Sequence, residues 1–468
     1  MNIILVMFDS LRRDCVNAYG PAPWWPLQTP HFDAFAEESV IMTRAYPESL
    51  PTLPARRALY TGRRCYPFHN GDFRLKGDFV GAAGWGPIPE DQPTLAELLR
   101  KAGYRTGLVS DLYHMFKPSK NFWRGFDEWK FLRGQEIDTY RSGPRLSQEE
   151  VDRWLPKELQ EDRRVRFLQR CIMNIHDRGK EEDFFPPRVF SEAALWLEQN
   201  QDADRVFLTV ESFDPHEPWL VPPHYRKMYM PEEGREQVLS WYDNVPDSAA
   251  ELVQRTQANY CGSVSLCDRW FGYFMESMRV LGLLDNSLVI FASDHGHSIG
   301  DRAYMGKRGY PSAPEVYETA LMLRFPKGEY AGTSCDAFVQ HTDIAASILD
   351  AADVEAPAEI EGSSFLKYAL TGGTGPRDHV TVGWGSTPTV INDRWWFNCK
   401  VDGTGVLLHD LSAEEPFAQN VAQDNPEVVS ELFRTAEQDA TDGFPEWLLE
   451  LARNQADAPG CSDMAARE

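Results

Sequence analysis

The sequence predicts an α/β protein: a large doubly wound sheet flanked by helices, followed by a small C-terminal antiparallel sheet. Three observations carry that prediction. Apolar, β-branched runs of strand length alternate with helical patterns through the first three quarters of the chain, as βαβ units require. Acidic residues close two of those runs, Asp9 after Ile3 to Phe8 and Asp294 after Ser287 to Ala292, at the strand ends where open sheets place their chemistry. The texture changes near Thr371, where Gly372, Gly373, Gly375 and Pro376 form a linker ahead of short strand-like pieces.

Element by element, Ile3 to Phe8 reads as a fully buried strand, followed by a helix around His31 to Glu38, a helix from Thr94 to Ala102 and a strand at Thr106 to Ser110. Further strands are read at Val206 to Val210 and Ser287 to Ala292, with a long amphipathic helix between them at about Leu252 to Leu281 and a later apolar run at Thr319 to Arg324. Residues 135–180 are charged and helical in pattern and are assigned as an insertion covering the sheet or the site. The main α/β unit is placed at 1–370 and a small α+β unit at 371–468. In the latter, strands are expected at His379 to Gly383, Thr387 to Ile391, Arg394 to Lys400 and Val406 to His409, with helices near Pro426 to Gln438 and Phe444 to Gln455.

A chain of 468 residues that is 42% hydrophobic suffices for one large core and a smaller appended unit. Its formal net charge of −24 argues against a nucleic acid or an anionic membrane as partner, because no run of Lys and Arg offsets that field. Positive charge for an anionic substrate must therefore be local. No apolar stretch approaches the roughly 18 residues needed to cross a bilayer, and the first strand follows Met1 without a basic leader, so a cytoplasmic location is expected. Eight cysteines lack any CxxC pair, which argues against a zinc ribbon or a disulfide scaffold.

Thr52 stands between Pro51 and Pro54, just before a helical stretch from Ala55 to Thr61. Threonine there suits a helix N-cap; the same geometry would hold a hydroxyl at a helix start that favours an incoming anion. Both readings are open on these residues alone. The stretch Thr52-Leu53-Pro54-Ala55-Arg56 resembles the sulfatase nucleophile signature C/S-x-P-x-R, with threonine in the leading position. Collinear segments extend the likeness: Thr29-Pro30-His31-Phe32-Asp33, Thr61-Gly62-Arg63, Thr94-Leu95-Ala96-Glu97-Leu98-Leu99, Gly103-Tyr104-Arg105-Thr106, Asp214-Pro215-His216-Glu217-Pro218, Ser293-Asp294-His295-Gly296 and His409-Asp410-Leu411. The chain thus resembles the sulfatase family of the alkaline phosphatase superfamily, near its sulfatase and phosphonate monoester hydrolase branch. The resemblance implies an alkaline phosphatase-like large mixed sheet.

Carried over residue by residue, it implies that Asp9, Asp294, His295 and the oxygen of Thr52 hold one divalent metal ion (Mn, Ca or Mg, with Zn admitted). Ser10 stands where many sulfatases place a second aspartate, which shifts the preference away from Ca²⁺. Arg56 would hold the nucleophile loop or the anion; alone, it reads as a surface salt bridge. Lys307 would neutralise the transferring group, with Arg308 as the alternative. His216, otherwise an exposed loop histidine, would contact the anion or the leaving oxygen, and it or His114 would protonate the departing alkoxide and later assist the water that releases phosphate. Asp111 stands near the position of a family lysine, with His114 as a compensating cation or as the group that protonates the leaving oxygen.

Threonine cannot be oxidised to the formylglycine that sulfatases use. The expected activity is therefore hydrolysis of a phosphoester, phosphodiester or phosphonate monoester through a Thr52 nucleophile. Sulfate ester hydrolysis without formylglycine is the runner-up, and a non-catalytic anion-binding relative the third reading. The expected partner is a small anionic ester, with self-association into a homo-oligomer left open.

Overall fold

The run from Asn2 to Phe8 shows no polar alternation because it forms β1 (Asn2–Phe8), a strand buried along its whole length. Ile3, Leu5 and Met7 enter one core while Ile4, Val6 and Phe8 enter another, the alternation expected of a strand between two helical layers. The structure is a computed structural model, and it describes residues 1–67, 83–117, 119–230, 242–441 and 443–454.

Seven further strands join β1: β2 (Val40–Tyr46), β3 (Arg105–Ser110), β4 (Glu128–Phe131), β5 (Val206–Ser212), β6 (Ser287–Ser293), β7 (Leu321–Arg324) and β8 (Thr333–Gln340). The sheet order is β8-β2-β7-β6-β1-β5-β3-β4. Within it β7 runs antiparallel to β2 and β6, and the other neighbours pair in parallel. Phe8 is in register with Ser212 on one side and Ser293 on the other. Three central strands therefore end level, and Asp9, Phe213 and Asp294 emerge together.

One core packs against α1 (Pro30–Glu37), through Phe32 and Phe35. The opposite face carries α2 (Thr52–Thr61), through Leu53 and Leu59, and α3 (Leu95–Lys101), through Leu95 and Leu99. The stretch 135–180 contains α4 (Gln148–Trp154) and α5 (Asp162–Ile175), which meet around Leu155 and Leu168. Helices α6 (Phe185–Gln199) and α7 (Ala250–Val280) complete the first layer through Val189, Phe190, Phe271 and Phe274. No described helix is long and apolar enough to cross a membrane.

The small antiparallel sheet comprises β9 (His379–Trp384), β10 (Thr387–Asn392), β11 (Trp395–Asn398) and β12 (Leu407–Asp410). Helix α8 (Pro426–Asp439) covers it with Leu432 and Ala436. This sheet also touches the site. The Leu50 N–H donates to the Gly383 carbonyl at 2.8 Å and the Gly383 N–H to the Glu48 carbonyl at 3.0 Å, so β9 holds the segment that leads into Thr52.

Candidate active site

Asp9, Asp294 and His295 are fully buried where β1 and β6 end, each offering a ligand atom within 4.8 Å of the others. The turn after β1 fixes this trio. Ser10 takes φ 59°; its N–H donates to Asp294 Oδ1 at 2.9 Å and its hydroxyl to Asp9 Oδ1 at 2.9 Å. His295 Nδ1 lies 3.0 Å from the Gly296 carbonyl. A carbonyl only accepts, so Nδ1 carries the proton and Nε2 presents its lone pair, 3.3 Å from Thr52 Oγ1. Burial, then Lys307, push this imidazole down to about 3.

This donor set fits a divalent cation. Asp9 Oδ2 has no hydrogen-bond partner although it is buried, and its nearest cation is Arg56 Nη1 at 3.1 Å. Burial, and then Asp294, raise Asp9 above the usual carboxylate range, against the opposing pull of Arg56. Two carboxylates, one neutral imidazole and one hydroxyl form the mixed oxygen and nitrogen set suited to Mn²⁺, Mg²⁺ or Zn²⁺ more than to Ca²⁺.

Helix α2 starts at Thr52, with Pro51 in the cap position and no side-chain cap bond. The N-cap reading of Thr52 is thereby corrected: its hydroxyl faces His295 instead of a backbone N–H. Arg56 and Tyr60 follow on the same helical face. Arg56 Nε donates to Glu211 Oε2 at 2.8 Å, Nη1 to the Thr52 carbonyl at 3.2 Å and to Asp294 Oδ2 at 2.5 Å; the Tyr60 hydroxyl donates to Glu211 Oε1 at 2.9 Å. Arg56 is wholly buried, so it is no surface salt bridge. Its Nε and Nη1 are taken up by carboxylates and by the Thr52 carbonyl, while Nη2 is buried without a hydrogen-bond partner among the described residues. Glu211 was missed in the sequence, though an acid inside a buried strand is itself a signal.

Lys307 is a second cation near the trio. Its Nζ lies 3.3 Å from Ser10 Oγ and 2.8 Å from His216 Nε2, while Arg308 turns to stack on Tyr304, 3.9 Å from the ring centroid. His216 is buried, not an exposed loop residue. Its Nδ1 is 2.8 Å from the Glu217 carbonyl and must donate there, leaving Nε2 to accept from the Lys307 ammonium. Burial and Lys307 hold it well below the ordinary imidazole range. Glu136, His216 and Glu217 also converge, but there the Lys307 ammonium already supplies the positive charge, 4.0 Å from Glu217 Oε2.

The expected role of His114 needs correction. His114 stacks on Tyr113 at 4.0 Å and meets the edge of Trp85 at 5.1 Å; burial, then His216 and Lys120, keep it neutral. It therefore supplies no compensating charge. Asp111 accepts from the Phe213 N–H and from Gln135 Nε2, each at 2.7 Å, and the same Gln135 nitrogen reaches Asp214 Oδ2 at 2.7 Å. Its carboxyl is turned toward the 135–180 segment, whose first residue locks onto the strand ends.

Level parallel strand ends, a buried Asp-Asp-His trio and a hydroxyl at a helix start define an alkaline phosphatase-like ester hydrolase. The family model described as Sulfatase matches residues 1–354, so the chain belongs to the sulfatase family. Similar relatives include an N-acetylglucosamine-6-O-sulfatase of Bacteroides thetaiotaomicron, 24% identical over 430 residues that cover 81% of this chain and 72% of the relative. Another is the multifunctional alkaline phosphatase superfamily protein PehA of Trinickia caryophylli, 24% identical over 424 residues covering 79% and 77%. Among solved structures, the phosphonate monoester hydrolase of Silicibacter pomeroyi aligns with TM-score 0.71 at 19% identity, covering 94% of this chain and 95% of that one. That of Agrobacterium radiobacter aligns with TM-score 0.69 at 19% identity, covering 94% and 96%. At such identities the structural likeness establishes the fold.

Proposed function

We propose that this protein hydrolyses a phosphoester, phosphodiester or phosphonate monoester, with Thr52 as nucleophile. The reading rests on one observation above the rest: Thr52 Oγ1 caps no helix and stands 3.3 Å from His295 Nε2, beside two buried carboxylates. A divalent ion held by Asp9, Asp294, His295 and Thr52 would supply Lewis acidity that lowers the hydroxyl's pKa.

The side chains account for the remaining requirements. Thr52 Oγ1 attacks phosphorus, on a loop that Arg56 fixes through the Thr52 carbonyl. Lys307, oriented by His216 Nε2 and Ser10 Oγ, balances the charge on the non-bridging oxygens. A phosphothreonine results, and water releases it. The same first step on a sulfate ester would give a sulfothreonine with no geminal hydroxyl to expel sulfate, a slow or dead-end species.

Membership of the sulfatase family favours a second reading, sulfate ester hydrolysis. A matched panel of p-nitrophenyl phosphate, bis-p-nitrophenyl phosphate, p-nitrophenyl phenylphosphonate and p-nitrophenyl sulfate, assayed with each of the four metals, separates the two. At least one phosphorus ester should turn over faster than the sulfate, with a phosphoryl adduct on Thr52 in quenched reactions. Faster sulfate turnover under every metal would reverse the assignment.

A further inference from the structure

A departing alkoxide needs a proton as its bond to phosphorus breaks, and neither His216 nor His114, the two histidines expected to supply it, has one to give. The His216 Nδ1 proton is committed to the Glu217 carbonyl and its Nε2 accepts from Lys307; His114 is neutral and packed among aromatic rings. The segment between β4 and α4 brings a carboxyl group beside His216 and Glu217. Glu136 is only 9% exposed and holds φ 46°, a left-handed conformation that non-glycine residues seldom adopt and that clusters at functional sites.

Its position is fixed from several sides. The Glu136 carbonyl accepts from Asn174 Nδ2 at 3.1 Å, and Gln135 before it spans Asp111 and Asp214. The carboxyl Oε2 accepts from the Tyr113 hydroxyl at 2.7 Å. Contacts run from Asp9 through Ser10 and Lys307 to His216, and the Glu136 carboxyl joins that series beside His216 and Glu217.

We propose that Glu136 is the general acid that protonates the leaving oxygen, and that its carboxylate then accepts a proton from the water that releases phosphothreonine. This rests on the phosphoryl-transfer reading above. In the first half, the Thr52 alkoxide forms a bond to phosphorus, the ester P–O bond breaks with its electron pair passing to the leaving oxygen, and the Glu136 proton moves to that oxygen. In the second half, water oxygen bonds to phosphorus, the Thr52 O–P bond breaks to restore the alkoxide, and one water proton returns to Glu136. The sum is ester plus water giving alcohol plus acid.

Tyr113, His216 and Glu217 lie beside this carboxyl, and the charges of Lys307 and Asp9 also act on it. Burial, then Glu217, push it up to about 8, against the opposing pull of the Tyr113 hydroxyl and Lys307. It therefore holds its proton at neutral pH.

The test is leaving-group dependence. With a p-nitrophenyl ester the leaving oxygen needs little help, whereas an alkyl ester does. Glu136→Gln should lower kcat on the alkyl ester roughly 100-fold or more, a loss at least about ten times that on the p-nitrophenyl ester, and should remove the fall in alkyl-ester activity above about pH 8. Equal losses on both esters, or a basic limb that persists, would overturn the proposal. Tyr113→Phe gives an independent reading with the carboxyl intact. Loss of that hydroxyl bond raises the Glu136 pKa, so the basic limb must move to higher pH, and an unmoved limb counts against the proposal. If the enzyme prefers sulfate esters, the phosphoryl reading has failed, and the same comparison on aryl and alkyl sulfates judges Glu136 separately.

Discussion

The half of the site around the Asp-Asp-His trio hangs on strand ends and one helix, whereas the half around Lys307 and His216 hangs on loops and on the 135–180 segment. The first half is rigid by construction. Asp9 and Asp294 follow strands that end level, and Arg56 ties both to Glu211 through a guanidinium buried to zero exposure. In the second half, position depends on long-range polar contacts: Lys307 to His216, Gln135 to two aspartates, Tyr113 to Glu136. The scaffold that places Thr52 is thus separable from the loops that carry Lys307, His216 and Glu136.

Thr52→Ala tests the first half most severely. Removal of the nucleophile should cut kcat by roughly four orders of magnitude or more, with the far-ultraviolet circular dichroism unchanged. Activity equal to that of the parent protein would erase the contrast, because the strand-end half would then be a binding module without chemistry.

Next in size is Arg56→Ala. It strips the shared cation from Asp9, Asp294 and Glu211, and leaving buried carboxylates uncompensated costs about 3–5 kcal/mol. Urea denaturation of the metal-free protein would show this as a lowered midpoint. A change within error would mean that the guanidinium is not the tie that makes this half rigid.

The last test belongs to the loop half. Burial and Asp214 push Asp111 up to about 8, from 3.8 in the unfolded chain. The folded protein thus keeps a proton that the unfolded chain releases, so this residue's contribution is fully present below about pH 4 and lost progressively as pH rises to about 8. Asp111→Asn should flatten the fall in Tm over that interval. An equally steep profile in the variant would show that the Asp111–Gln135–Asp214 clamp does not titrate.

Legibility in the sequence follows the same division. Both core-facing sides of β1 were readable because an uninterrupted apolar run of six or seven residues is too short for a core helix and fits a strand buried on both faces. Strands β2 and β8 escaped notice: β2 carries Thr43 and Arg44, and β8 is an edge strand with Thr333, Ser334 and Asp336 exposed, so neither shows a sustained pattern. The residues around Thr52 could not separate a cap from a nucleophile, since both readings want a hydroxyl at a helix start. Glu211, Gln135 and Glu136 carried no local motif at all.

The class of sheet, the acids at its strand ends and a hydroxyl that cannot become formylglycine were all written in the chain, because periodicity and side-chain chemistry are local properties. It took the folded molecule to make His216 a neutral partner of Lys307, 91 positions away, to join Gln135 to Asp111 and Asp214 across separations of 24 and 79 positions, and to bring Glu136 to the site. Protonation and hydrogen-bond direction depend on burial and on which distant groups arrive beside a side chain. Neither exists until the chain has folded.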